Sequence, residues 1–97
     1  MKAKIWTDEK MVPYTEIPVD AFKELLEDCG FTVLHTLSHY FLPQGETFLC
    51  LLSESHFALH SFPEEDKMFI QLSSCNKLMF LQYKRKIKAF LNKWYQL

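Results

Sequence analysis

Four histidines and three cysteines are the side chains of this chain that most readily bind a transition metal or do proton and nucleophile chemistry near neutral pH. His35/His39 and His56/His60 are each spaced i,i+4, which puts both members of a pair on one face of either a helix or a strand. A metal centre would need a third ligand at clean spacing, and none follows, so the histidines read as hydrogen-bonded strand residues and no metal is expected. Cys29 ends an apolar helical stripe and Cys50 lies inside an apolar strand, where cysteine behaves as a small core residue. Cys75 differs. It follows a strand within Ser73-Ser74-Cys75-Asn76, and polar neighbours there would expose a reactive thiol at the end of a sheet.

The elements that would position these groups can be read from periodicity. Residues 2–6 are expected to form a first strand, and the charged stretch from Asp8 to Pro18, broken by Pro13, a loop. Val19, Phe22, Leu26 and Cys29 make one helical stripe between Pro18 and the stop at Gly30. Residues 31–37 are strand-like, Pro43-Gln44-Gly45 is a turn, and 46–53 and 56–62 are two strands joined tightly at Glu54-Ser55. In the second of these, His56, Ala58, His60 and Phe62 share one face while Phe57, Leu59 and Ser61 share the other. A turn at 63–66 leads to a strand at 67–73. From Leu78, a long amphipathic helix carries Phe80, Tyr83, Ile87, Phe90, Leu91 and Trp94 on its apolar side. The order, written βαβββα, points to an α+β two-layer sandwich, with a mostly antiparallel sheet and two helices on one face.

With 97 residues, 48% of them hydrophobic, the chain is expected to be a single domain over 1–97 and not a disordered segment. No run approaches the ~20 apolar residues that span a bilayer, and Asp8 interrupts the N-terminal region before an apolar signal core develops. Neither a membrane nor a secretory route is expected, and three cysteines without a CxxC pair suit a reducing cytoplasm. The formal charge of -1 hides an asymmetry, since all 12 acidic residues precede residue 67 and 7 of the 11 basic ones follow residue 66. A basic nucleic-acid arm is one reading of that tail. The apolar residues interleaved at core spacing favour the other, a solvated helix face, and no nucleic acid is expected as a partner.

The middle of the chain is more specific than any of these features. His39-Tyr40-Phe41-Leu42-Pro43-Gln44-Gly45, then Glu54-Ser55-His56, then His60-Ser61-Phe62-Pro63-Glu64, and finally Cys75 resemble the prokaryotic S-adenosylmethionine decarboxylase proenzymes. That family typically shows His-x-Phe-x-Pro-Gln-Gly, Glu-Ser-His followed by alternating apolar residues, a second His, an aromatic residue, Pro and Glu, and later Thr-Cys-Gly. The likeness is dense over residues 38–75.

The resemblance implies a pyruvoyl enzyme. Loss of carbon dioxide from an α-amino acid needs a carbonyl electron sink that no standard side chain supplies. By the resemblance, Ser55 attacks the Glu54 carbonyl in an N-to-O acyl shift, and β-elimination and hydrolysis then leave a pyruvoyl group, the cofactor, on the chain that begins at 55. His60 matches the base of the elimination and Thr47 a hydroxyl that assists processing. In catalysis the substrate amine would form a Schiff base with the pyruvoyl, and Cys75 matches the proton donor. Phe41 and Phe62 match aromatic residues that sandwich adenine, and Glu64 a carboxylate for the ribose. The implied assembly is a homodimer of processed protomers, serving polyamine (spermidine) synthesis.

The sequence departs from the family pattern at several places. Phe62 stands where tryptophan is common, Asn76 replaces the glycine after the cysteine, and Ser73-Ser74 replaces an aromatic-Thr pair. Gln71 takes a position that is often Asp, and Ile5-Trp6-Thr7-Asp8 replaces an Asp-Leu-x-Gly-Cys segment. Since the processing residues are present, the alternatives keep the chemistry and change the substrate to a small basic amino acid such as ornithine or arginine, or make the chain an inactive homologue acting as a binding or regulatory subunit.

Overall fold

A computed structural model describes residues 4–96. Its elements are β1 (Trp6–Pro13), α1 (Val19–Asp28), β2 (Val33–Tyr40), β3 (Glu46–Leu52), β4 (Ser55–Phe62), a 3-10 turn at Pro63–Glu65, β5 (Lys67–Ser74) and α2 (Lys77–Tyr95). The strands form one sheet in the order β1-β5-β4-β3-β2, every neighbouring pair antiparallel. Both helices pack on one face, as an α+β two-layer sandwich requires.

Periodicity explains the helices. Phe22, Leu25 and Leu26 bury one side of α1, and Gly30, at φ +101°, ends it in a conformation that favours glycine. In α2, Phe80, Tyr83, Ile87 and Leu91 are buried, and Phe90 and Trp94 pack at the margin of the core. Sheet and helices meet at Phe22, whose ring centroid lies 5.5 Å from that of Phe57 on β4 and 5.1 Å from that of Phe90 on α2. Burying each such side chain contributes about 1.5–3 kcal/mol.

Three expectations need correction. The first strand is Trp6–Pro13 and not residues 2–6: Lys4 and Ile5 are not extended-paired, residues 2 and 3 lie outside the described residues, and most of the expected loop is strand. Its charges belong to a sheet edge, where an unpaired ladder tolerates them, and Pro13 closes the strand. Along β1, Asp8 is nevertheless buried, with Lys84 Nζ from α2 at 2.8 Å and Lys10 Nζ at 3.3 Å. Next, β2 runs to Tyr40, three residues beyond the expected end, and carries an irregularity between Val33 and His35. Finally, the order is βαββββα: the five expected strands are all present, and βαβββα counts one strand too few.

The basic tail folds into α2. Lys84 pairs with Asp8, and Lys86 Nζ donates to the Asp28 carbonyl at the end of α1, 3.0 Å away. Part of its positive charge is therefore used against the acidic remainder of the chain and a helix C-terminus. No helix among the described residues is long and apolar enough to cross a membrane.

Candidate active site

The expected site residues fall into two groups at opposite ends of the sheet. The first sits where β3 turns into β4. Only Ser53 and Glu54 make that turn, and Glu54 is held at φ +60°, a left-handed conformation that costs a non-glycine residue on the order of 1 kcal/mol. Ser55 opens β4, buried, paired with Leu52 on one side and Ser74 on the other. Its Oγ donates a hydrogen bond to Ser74 Oγ at 2.7 Å. The Glu54 carbonyl accepts the Cys75 backbone N–H at 3.2 Å. The residue that bears this hydroxyl thus directly follows, in the chain, a carbonyl already polarised by a hydrogen bond, an arrangement suited to addition at that carbonyl.

Cys75 is exposed, as its polar neighbours imply, while Cys29 and Cys50 are buried. With Ile5, Leu51, Ser55 and His56, Cys75 lines a cleft of about 160 Å³. Asn76, after the cysteine, caps α2: its Oδ1 accepts the Met79 N–H at 3.0 Å. An asparagine in place of glycine there fixes the helix start at Lys77 and the cysteine just ahead of it.

The second group surrounds the other end of the β3–β4 ladder. Thr47 and His60 are cross-strand partners, and Thr47 Oγ1 lies 2.9 Å from His60 Nδ1. They share a groove of about 350 Å³ with Phe41, Phe62 and Glu64. Both phenylalanines are open to solvent, 50% and 36% exposed, so neither serves as core. The groove floor turns at Gly45, at φ +107°, where a Cβ would come within 3.2 Å of the Ser61 carbonyl.

Five residues separate Ser55 from His60 on one strand, roughly 17 Å at about 3.3 Å per residue. One chain therefore brings together Ser55, Glu54 and Cys75, and separately Thr47, His60, Phe41, Phe62 and Glu64, but does not join the two groups.

The sheet face away from the helices runs between them. Register places His35, Leu37 and His39 of β2, Leu49 and Leu51 of β3, and His56, Ala58 and His60 of β4 on that face. All four histidines share it, and among the described residues no three His, Cys, Asp or Glu side chains cluster to hold a metal ion. Leu37 is 67% exposed and Leu51 50%. Two residues of the first group escaped the sequence reading in their roles: Ser74, noted only as a departure, and Asn76, whose capping position is visible once the helix start is known.

Comparison with known proteins follows the same outline. Residues 7–94 match the family described as S-adenosylmethionine decarboxylase. A Brevibacillus brevis protein named S-adenosylmethionine decarboxylase proenzyme is 43% identical over 54 residues, covering 56% of this chain and 41% of that protein. A Clostridium botulinum protein of the same name is 34% identical over 77 residues, covering 79% and 64%. The crystal structure of the adenosylmethionine decarboxylase from Aquifex aeolicus superposes with a TM-score of 0.60 at 25% identity, covering 76% of this chain and 65% of that one. The chain thus spans less than two thirds of the length of each of these relatives.

Proposed function

The chain belongs to the S-adenosylmethionine decarboxylase family, and on that premise we propose that it is a proenzyme that cuts itself between Glu54 and Ser55 and then decarboxylates S-adenosylmethionine. The observation that carries the reading is the pair of contacts at the cut: Ser55 Oγ held on Ser74 Oγ, and the preceding Glu54 carbonyl polarised by the Cys75 N–H.

The residues present suit the making of a pyruvoyl group from Ser55. Addition of Ser55 Oγ to the Glu54 carbonyl carbon forms a C–O bond, the C–N bond breaks, and the nitrogen of residue 55 takes up a proton as the hydroxyl gives one up. The left-handed Glu54 raises the energy of the starting peptide and favours this step. A base must then remove the α-proton of residue 55 so that the Glu54 carboxylate leaves. His60 is assigned that work, with Thr47 orienting its ring. Once formed, the pyruvoyl supplies the carbonyl electron sink for decarboxylation. Cys75, exposed in the same cleft, is assigned the return of a proton to the substrate carbon. Phe41 and Phe62 offer two exposed aromatic faces in one groove for a flat base, and Glu64 a carboxylate for ribose hydroxyls.

Because the two groups lie about 17 Å apart in one chain, the reading includes a symmetric dimer. Two sheets stacked through their open faces in antiparallel fashion would set the Ser55 end of one protomer against the His60 end of the other. Exposed Leu37, Leu49 and Leu51 supply an apolar surface for such a pairing. The whole chain is read as one such domain. Three free cysteines favour a reducing compartment, hence the cytoplasm, and the reading calls for neither nucleic acid nor membrane.

Intact mass under denaturing conditions tests the cut: two fragments, the second lacking a free amine, are expected, and Ser55→Ala should stay whole. Carbon dioxide release from S-adenosylmethionine, ornithine and arginine then tests the substrate. Persistence of a single wild-type chain after long incubation would leave the inactive-subunit alternative in its place.

A further inference from the structure

The Ser55 hydroxyl meets a side chain that none of the roles above uses. Ser74 Oγ, on the adjacent strand, is 1% exposed at residue level and lies 2.7 Å from Ser55 Oγ. It also accepts the Asn76 backbone N–H at 2.9 Å, and its own hydrogen points to the Asn76 carbonyl at 3.3 Å. A serine hydroxyl has one donor and two lone pairs. All three are engaged, so Ser74 is locked in one rotamer.

We infer that Ser74 is the positioning residue of the self-cleavage step, holding the Ser55 O–H away from the scissile peptide so that the Ser55 oxygen presents its lone pairs to the Glu54 carbonyl carbon. The inference rests on the self-processing reading and deepens it. Ser74 and Cys75 are consecutive, and between them they hold both reacting partners: Ser74 takes the hydroxyl of Ser55, and the Cys75 N–H takes the carbonyl oxygen of Glu54. Reaction and geometry are thus set by one dipeptide at the end of β5, anchored in turn by the capped start of α2. The covalent step needs no co-reactant beyond water: the C–O bond forms as the C–N bond breaks, the Ser55 hydroxyl proton is given up, and the released nitrogen takes one from solvent in the cleft that Ser55 and Cys75 line. Ser74 is unchanged by it and leaves the later elimination untouched.

The role predicts a specific block. Loss of orientation by about 1 Å costs on the order of 100-fold in such reactions. Ser74→Ala in the full chain should therefore cut itself roughly 10- to 100-fold more slowly, and the uncut chain should resist hydroxylamine, because it is stalled as an amide. His60→Ala, stalled after the acyl shift, should instead accumulate an ester that hydroxylamine cleaves. Ser74→Thr, which keeps the hydroxyl, should restore cutting to within a few-fold. Asn76→Ala removes the helix cap without removing the Ser74 oxygen, so it measures the share of the defect due to fraying of α2 and should slow cutting less than Ser74→Ala. Melting curves check that each variant is folded, and Ser74→Cys, close in size but a poor acceptor, gives a second reading should the alanine variant fail that check; it too should be slow. Wild-type rates in Ser74→Ala, or in a folded Ser74→Cys, would overturn the inference alone, and so would a hydroxylamine-sensitive ester in the alanine variant. An uncut wild type would remove the self-processing reading and this inference together.

Discussion

Thr47 and His60 stand opposite one another on β3 and β4, with 2.9 Å between the hydroxyl and imidazole Nδ1. The bond occupies one ring nitrogen and leaves Nε2 directed away from its own protomer's hydroxyl partner. In the role proposed for it, a histidine held this way is an oriented base without a substrate in its own chain, because Ser55 is roughly 17 Å distant.

Complementation between inactive variants should follow. Ser55→Ala cannot be cut, and His60→Ala should be cut about 10²–10⁴-fold more slowly, the usual contribution of a general base. Expressed together, the two should yield cut His60→Ala chains, with His60 supplied by the Ser55→Ala partner. Mass spectrometry distinguishes the chains. Equal cutting of His60→Ala with and without the partner would place the base elsewhere. Thr47→Val should slow cutting less than His60→Ala, since it loosens the ring without removing it.

Charge on the open face should separate the protomers. Leu49 is 39% exposed on that face, between Leu37 and Ala58. Leu49→Asp should shift the protein to monomer by light scattering at micromolar concentration and lower cutting along with it. A wild type that is strictly monomeric yet cuts itself and turns over would contradict the shared site.

Thiol labelling should distinguish the three cysteines. Burial raises the Cys50 thiol to about 11 and raises that of Cys29 as well, with the Lys86 charge opposing the latter only in part. A raised thiol stays protonated below its pKa, so at pH 8 only about one Cys50 in a thousand carries the reactive thiolate. Native protein should therefore take up one iodoacetamide, at exposed Cys75, and denatured protein three. Uptake at Cys50 in the native state would show the core to be open.

Cys75→Ser should separate maturation from turnover. The backbone N–H that polarises Glu54 is retained, so self-cleavage should proceed, whereas carbon dioxide release should fall about 10²–10⁴-fold for want of an adequate acid. Cys29→Ser and Cys50→Ser should cost stability and leave the folded fraction near wild-type activity. Undiminished turnover by Cys75→Ser would take the thiol out of the mechanism.

Gly45→Ala should destabilise the groove. The substitution places a Cβ at φ +107° and 3.2 Å from the Ser61 carbonyl, a strain of about 1–3 kcal/mol. A lower melting temperature and weakened substrate binding are expected; an unchanged melting temperature would show that the turn relaxes freely.

What the sequence made legible was what depends on near neighbours. The stripes of both helices and the alternation of β4 follow from spacing alone, and Pro43-Gln44-Gly45, Thr47 and His60 lie on the turn and strands expected of them, whereas His39 and Tyr40 prolong β2 and Ser55 opens β4. The edge strand β1 was hidden because its charges look like a loop's, and Asp8 becomes tolerable inside only through Lys84, 76 residues later. Ser74 was hidden for the same reason: its partner Ser55 is 19 residues away and is reached only through the β4–β5 register. No local window contains either pair.

The strand order carries a consequence for the proposed cut. The piece ending at Glu54 contributes β1 at one edge of the sheet and β2–β3 at the other, while the piece beginning at residue 55 contributes β4 and β5 between them, together with α2. The later piece is clasped on both sides by the earlier one, and parting them means unzipping two ladders at once. Cleavage between Glu54 and Ser55 would therefore cost the folded protein little but change what happens after it unfolds. An intact chain can find this arrangement by closing loops on itself, whereas two pieces must first meet, which makes recovery dependent on concentration. The cut would act as a ratchet: the fold is needed to make it, and once lost the fold is far harder to regain.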